Sequence, residues 1–171
     1  GLPGYAVSAY IDFATFVKPP MEMLTGAVSD AQPMEEAVVS KRLVSSLKHK
    51  EYVRVKVGEV NGRLVASPLA RGAAAATSLV KADGVCVIDQ NLEGYEAGET
   101  VQVELWRPRD EIRHTIVSVG SHDMIMDFLA DLLPTLFPGM HLSSTHVGSM
   151  AGLMALKRGE SHIAPTHLLD E

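Results

Sequence analysis

The chain has 171 residues, of which 46% are hydrophobic, 21% charged and 5% aromatic, and its formal net charge is −6. This composition is typical of a globular protein with one domain or two small ones, and the negative charge argues against nucleic acid as a partner, because phosphate binding needs a basic surface. The sequence contains neither a run of roughly 20 apolar residues nor a secretory signal, so we expect a cytoplasmic protein that binds no membrane.

Residues 1–26 begin with a tight turn, Gly1-Leu2-Pro3-Gly4, which is followed by apolar residues at helical spacing. The pattern predicts an amphipathic helix that Pro19-Pro20 kinks or interrupts and that Gly26 ends. A turn of this kind normally leads from a strand into a helix, yet no strand precedes it, and the helix needs a partner surface for its apolar stripe. We therefore expect the chain to begin inside a larger domain.

The next two segments differ in their period. Residues 27–50 are polar and irregular, then weakly helical, and we interpret them as a connector. Residues 51–106 contain alternating stretches such as "EYVRVKV" and "TVQVEL", with the hairpin signal Asn61-Gly62 between the first two strands. The pattern predicts a small all-β barrel or sandwich, in which Cys86 is a buried strand residue rather than a nucleophile.

The last third follows a charged segment, 107–113, that we interpret as a hinge. Residues 114–171 then alternate between strand and helix patterns in the order β-α-β-α-β. Such alternation predicts a parallel sheet with right-handed crossovers, and three strands are about half of a stable α/β domain. The predicted fold class is therefore mixed: an N-terminal helix, a small all-β barrel domain and an incomplete α/β parallel-sheet segment.

Motifs in the first two segments resemble a known family. The opening turn, the following Val7-Ser8-Ala9 and the series Phe13, Phe16-Val17, Pro19 resemble a junction in the molybdopterin molybdotransferase family, which includes the C-terminal part of gephyrin. In that family the junction closes the catalytic α/β domain and leads into a small barrel. "GAAAATSLVKADGVCVI" and "YEAGETVQVEL" are similar to the family's last barrel domain. The resemblance implies that 1–26 is the end of the catalytic domain and 51–106 the barrel.

The third segment resembles the periplasmic-binding-protein-like domain, related to the ligand domain of LysR-type regulators, that some bacterial members carry at their C-terminus. The matching pieces are "GSHD", "THVGSMAGLMALKRGESHIA" and "THLLDE". The resemblance implies that residues 114–171 are the first part of such a domain.

The family resemblance also implies a reaction. Members insert molybdenum from molybdate into adenylylated molybdopterin with the help of a divalent metal, so we expect these two substrates and Mg²⁺ held by ligands outside this sequence. Catalytic residues remain unknown, and we expect this chain alone to be inactive. The implied substrate contacts are Pro3, Gly4, Tyr5 and Ser8 in the turn, and Thr77 and Ser78 in the barrel. Without the family, these residues form a plain strand-to-helix turn and ordinary loop hydroxyls. Ala6 and Ala73 depart from the family pattern, in which Pro and Ser are usual.

Ser121 and Ser149 each follow a predicted parallel strand and begin a helix. Both would lie at the carboxyl edge of the sheet, where free amide groups, hydroxyls and helix dipoles bind anions. We expect them, with the adjacent His122 and Met150, to bind molybdate, tungstate or a pterin-like ligand; the alternative is that both serines only cap helices. Six of the seven histidines lie in this part of the chain, but their spacing matches no metal motif, so no metal site is predicted.

Three functions remain open at this point. The chain is part of the transferase, a non-catalytic module that binds an oxyanion or pterin, or an architectural element that mediates dimerisation. The unfinished sheet and the apolar helix stripe predict a homo-oligomer.

Overall fold

The computed structural model describes residues 1, 3–27, 32–69 and 79–168. It contains an N-terminal helical segment, a closed five-stranded barrel and a small parallel sheet with two helices. The predicted mixed fold class is thus confirmed. Among the described residues, no helix has the combination of length and apolar character that a bilayer crossing requires.

The N-terminal segment consists of α1 (Ala6–Asp12), a π-helical stretch (Phe13–Val17) and α2 (Lys18–Thr25). Pro19 and Pro20 fall in the first turn of α2, a position that proline tolerates, and the chain stays helical there, directly after the π-helical stretch. Gly26 ends the helix in the left-handed conformation, as predicted. The ring of Tyr10 packs edge-to-face on Trp106, with ring centroids 5.4 Å apart, and this contact joins the segment to the barrel.

The five barrel strands are β1 (Met34–Val39), β3 (Glu51–Val60), β4 (Arg63–Pro68), β5 (Gly84–Ile88) and β7 (Thr100–Leu105). They close into a barrel in the order β1-β4-β3-β5-β7. All neighbouring strands are antiparallel except β1 and β4, which are parallel. Two short strands, β2 (Leu43–Val44) and β6 (Gly94–Tyr95), form a separate antiparallel pair.

Alternate apolar residues of each strand form the barrel core, and Val55, Val57 and Val103 among them are fully buried. Asn61 and Gly62 both have positive φ angles, 52° and 77°, as the predicted tight hairpin requires. The assignment of all of 27–50 to a connector is wrong, because residues 34–39 form β1. The partners of β1 are β7 and β4, which lie far ahead in the sequence, so no local pattern marks it as a strand.

The segment expected to be a hinge contains a short helix, α3 (Arg109–Ile112). Ile112 is fully buried in the barrel core. Arg109 donates hydrogen bonds to Glu59 at 3.1 Å and to Glu35 at 3.3 Å. These contacts hold the segment against the barrel, so it does not connect the two parts of the molecule as a free hinge.

The C-terminal sheet contains two parallel strands in register from Thr115↔His141 to Gly120↔His146. The expected third strand is reduced to one parallel bridge between Ser118 and Ile163. Pro165 explains the difference, because it has no amide hydrogen to donate to a ladder and contributes only its carbonyl group. The elements of this part are β8 (Thr115–Gly120), α4 (Met124–Leu136), β9 (His141–His146) and α5 (Ser149–Lys157).

A second apolar core joins this sheet to the outside of the barrel. Val117 and Val119 of β8 pack with Val60 and Val65 of the barrel and with Ala155 of α5. Strand β3 approaches β8 closely because residue 58 of β3 is glycine. A Cβ atom at that position would meet the side chain of Val117 in β8. The hydroxyls of Ser40 and Thr145 add a buried polar contact of 3.2 Å between barrel and sheet.

Candidate functional site at the carboxyl edge of the parallel sheet

The carboxyl ends of β8 and β9 carry most of the residues proposed for the C-terminal segment. Ser121 directly follows β8, and Ser149 is the first residue of α5. Their Oγ atoms are 2.7 Å apart and both side chains are buried. The parallel register places the two strand ends side by side, so residues 28 positions apart in the sequence meet at one point.

Neither serine is a helix cap in the way the alternative interpretation requires. The carboxylate of Asp123 caps α4 by accepting the Ile125 N–H at 2.9 Å. Gly148 precedes α5 without any side-chain cap. The two hydroxyls therefore bind each other rather than the first turns of their helices.

The edge offers fewer free donors than the sequence suggests. The Ser121 N–H donates to the Pro165 carbonyl at 2.8 Å, and the His167 N–H donates to Ser149 Oγ at 3.3 Å. One serine hydroxyl donates to the other, which leaves the hydrogen of the accepting hydroxyl for a further partner. Met150, the next residue of α5, is exposed beside this pair.

Two histidines lie at the same edge. His122 Nδ1 and His146 Nε2 are 3.3 Å apart, and the two rings meet edge-to-face with centroids 4.4 Å apart. Partial desolvation of the otherwise exposed His146, followed by the charges of His122 and Lys41, lowers the pKa of His146, while Asp127 acts in the opposite direction. The sequence pattern predicts a binding role for His122 but not for His146, because the two histidines are 24 positions apart. The signal that joins them is the strand register, in which His146 lies opposite Gly120.

The residues proposed from the family turn lie elsewhere. Pro3, Gly4 and Tyr5 are exposed, and the space beside Gly4 is open. Ser8 lines a cleft between α1 and the start of β3, together with Lys50, Glu51 and Tyr52 among others. The described lining of that cleft includes no residue of the C-terminal sheet. Thr77 and Ser78 lie outside the described residues.

A charged cluster lies where the barrel meets β9. The Asp83 carboxylate, 1% exposed, accepts the Val57 N–H at 2.9 Å and Arg107 Nη1 at 2.8 Å. Burial lowers the pKa of Lys56, partly opposed by the charge of Asp83. Burial also lowers the pKa of His141, and the charges of Arg107 and Lys56 add to the effect. Because Asp83 is fully engaged within the protein, we interpret the cluster as structural.

The buried cysteine of the barrel is unreactive, and the described residues lack a cluster of three metal ligands. Burial raises the pKa of the Cys86 thiol to about 11, so this side chain is not a nucleophile near neutral pH. Within the described ranges, no group of three or more His, Cys, Asp or Glu side chains is placed to hold a metal ion. These residues therefore do not fit the Mg²⁺ that the family resemblance implies, which needs several oxygen ligands.

Comparison with known proteins agrees with the order of the two folded parts. Residues 36–106 match the family described as MoeA C-terminal region (domain IV), and residues 130–171 match the PBP superfamily domain. The molybdopterin molybdenumtransferase of Bacillus subtilis (strain 168) is 32% identical over 108 residues, which are 63% of this chain. A relative from Methanocaldococcus jannaschii is 30% identical over 105 residues.

A solved structure, the molybdenum cofactor biosynthesis protein from Pyrococcus furiosus, is 33% identical with a TM-score of 0.50. The match covers 60% of this chain and 36% of that protein. The chain spans about a quarter of the length of the curated relatives, with 25% of the Bacillus protein and 23% of the Methanocaldococcus protein matched.

Proposed function

We propose that the chain is part of an enzyme of molybdenum cofactor biosynthesis, because its barrel matches the MoeA C-terminal region family. The enzyme would insert molybdenum from molybdate into adenylylated molybdopterin. The chain would supply a wall of the substrate site through Pro3, Gly4, Tyr5 and Ser8, and through Thr77 and Ser78. Alone it would be inactive, because the family resemblance implies that the catalytic carboxylates and the ligands of the divalent metal belong to domains outside this sequence.

The closed barrel is the observation that supports this proposal. It lies within the region matched by the family, apart from Met34 and Glu35 at the start of β1, and a solved molybdenum cofactor biosynthesis protein shares the architecture at 33% identity. The helix before the barrel contacts it through Tyr10 and Trp106, and the turn that carries Pro3 and Gly4 directly precedes this helix.

A chimera tests the proposal. The matched 108 residues of the Bacillus subtilis transferase are replaced by the corresponding part of this chain, and the chimera is expressed in a strain that lacks the transferase. We expect it to restore molybdenum-dependent enzyme activity in that strain. The control chimera carries Val103→Asp, which places a charge in the barrel core and should abolish the rescue. A folded, soluble chimera without rescue contradicts the proposal.

A second function concerns the carboxyl edge of the sheet. We propose that Ser121, His122, Ser149 and Met150 bind an oxyanion such as molybdate or tungstate, or a pterin-like ligand. The support is the pair of buried hydroxyls, 2.7 Å apart, which lies at the start of α5 and is not used for capping. Because the Ser121 amide is already bound to Pro165, the hydroxyls and the first amides of α5 would supply the donors.

Calorimetry with molybdate, tungstate and sulfate tests this second function. We expect a heat of binding from molybdate, tungstate or both. This heat should be lost in Ser121→Ala and in Ser149→Ala. Ser46→Ala, at an exposed serine of the barrel, is the matched control. Absence of heat with all three anions, or equal heat in the serine variants, would remove the oxyanion proposal.

A further inference from the structure

We propose that His122 and His146 form a binding site for one divalent transition-metal ion of the Zn²⁺, Ni²⁺ or Cu²⁺ class. His122 Nδ1 and His146 Nε2 are 3.3 Å apart. Two nitrogens bound at about 2.0–2.1 Å to one tetrahedral ion are themselves separated by about 3.3–3.4 Å. The pair therefore already has the spacing of two neighbouring ligands.

The backbone on both sides of the pair is fixed. His146 is the last residue of β9 and lies in register with Gly120 at the end of β8. Ser121, between Gly120 and His122, is held through its amide by Pro165 and through its hydroxyl by Ser149. The two imidazoles, by contrast, are exposed and meet edge-to-face at 76°, so their rings can rotate to direct both lone pairs to one point.

The pair can bind an ion only when the two facing imidazole nitrogens are both unprotonated, and imidazole nitrogens favour certain metals. The present hydrogen bond needs one N–H between the rings, whereas an ion needs lone pairs on both facing nitrogens. The protons then lie on His122 Nε2 and His146 Nδ1, which point away from the ion. Imidazole nitrogens favour Zn²⁺, Ni²⁺ and Cu²⁺ over Mg²⁺ and Ca²⁺, which prefer oxygen ligands.

The remaining coordination positions are open to water or to an anionic ligand. The described residues bring no third His, Cys, Asp or Glu to the pair, so the protein supplies two ligands. A site of this kind exchanges its ion readily and presents a positive charge beside the Ser121–Ser149 pair. The inference goes beyond the proposed oxyanion binding and does not depend on it.

Calorimetry of the chain without any affinity tag, titrated with ZnCl₂ and separately with NiCl₂ near neutral pH, tests the site. We expect one ion per chain, with affinity reduced at least about tenfold by either His122→Ala or His146→Ala. His49→Ala, at an exposed histidine of the barrel, is the matched control and should bind like the wild type. Binding that neither variant weakens, or no binding of one ion per chain, overturns the proposal.

A spectroscopic measurement keeps the result independent of stability. Substoichiometric Cu²⁺ should broaden the ring signals of His122 and His146 in NMR spectra before those of the other histidines. Equal broadening of all histidine signals counts against the site. The zinc titration is carried out without molybdate, tungstate or sulfate, and the anion titration without any transition metal. Each kind of binding is then measured by itself, so failure of one proposal can be told from failure of the other.

Discussion

Asp83 shows how a single buried charge is made tolerable. Its carboxylate is 1% exposed, and it accepts one hydrogen bond from the backbone of β3 and one from the guanidinium of Arg107. An unpaired carboxylate in this position would carry a large desolvation cost, which the two donors offset. The same contact fixes Arg107 at the start of the segment that leads into the C-terminal sheet.

Removal of this carboxylate should destabilise the whole chain. We expect Asp83→Ala to lower the free energy of unfolding by about 2–4 kcal/mol, because it leaves the buried Val57 N–H without its acceptor and removes one of the two carboxylates that pair with Arg107, the other being that of Glu111. Urea unfolding measures the change. Asp110→Ala, which removes an exposed partner of Arg113 at 3.3 Å, is the control and should cost less than about 0.5 kcal/mol. Similar losses in both variants would contradict the assigned role of Asp83.

His141 should make stability depend on pH. Its pKa is lowered by burial and then by Arg107 and Lys56, with Asp83 and Glu111 acting in the opposite direction. The unfolded chain therefore binds a proton at this residue more readily, and the stability contribution is lost as the pH falls through about 6.5. We expect His141→Asn to flatten the profile of unfolding free energy against pH below this value, by at most about 1.4 kcal/mol per pH unit. An unchanged slope in the variant would contradict the shift.

Among the elements, those with a strong local pattern were predictable and those defined by distant partners were not. The alternation of Val53, Val55 and Val57 and the hairpin residues Asn61-Gly62 sufficed for β3 and β4. β1 was missed because "MEEAVV" has a short apolar run whose burial depends on both of its neighbours in the closed barrel. The last strand was predicted too long because the apolar pattern of "HIAPTHLL" outweighed the proline in it.

In the candidate site, too, some features follow from the order of the elements and others depend on contacts between distant residues. Ser121 and Ser149 were placed at one edge because each follows a predicted parallel strand, and this depends only on the order of elements. The contact of His122 with His146 depends on register, which the sequence does not specify. The hydrogen bond from the Ser121 N–H to the Pro165 carbonyl depends on the path of the segment after α5 back to the end of β8. No local sequence signal predicts that path.

The close packing of strand β3 against strand β8 can be tested by substitution. Gly58→Ala should lower the free energy of unfolding by about 1–3 kcal/mol, because the added methyl group meets the side chain of Val117. Val117→Ala removes the obstructing methyl groups, so the double variant should lose less than the sum of the two single variants. A double-mutant cycle by urea unfolding measures this coupling. Strict additivity would mean that the two strands do not pack as described.

At the scale of the whole molecule, two helical faces remain uncovered. The apolar residues on one face of α4 are at least 41% exposed, and α1, the π-helical stretch and α2 contain no buried residue. Large apolar surfaces of this kind favour association. The uncovered residues of α4 are Ile125, Phe128, Leu129 and Leu132.

We accordingly expect the chain to form homo-oligomers. Light scattering should give a mass above the 18.4 kDa of one chain. Phe128→Glu combined with Leu132→Glu should shift the mass toward the monomer if α4 mediates the contact, while Asp131→Ser, at an exposed polar position of the same helix, should not. A monodisperse monomer of the wild-type chain would contradict the expectation.

The shared valine core has a thermodynamic consequence for everything that binds at the sheet edge. Val117 and Val119 pack on Val60 and Val65, so β8, which ends at Gly120, cannot unfold without exposing the outer wall of the barrel. Barrel and sheet should then melt in one transition. Any ion or anion bound at the edge would stabilise the barrel as well, through mass action on a single folding equilibrium.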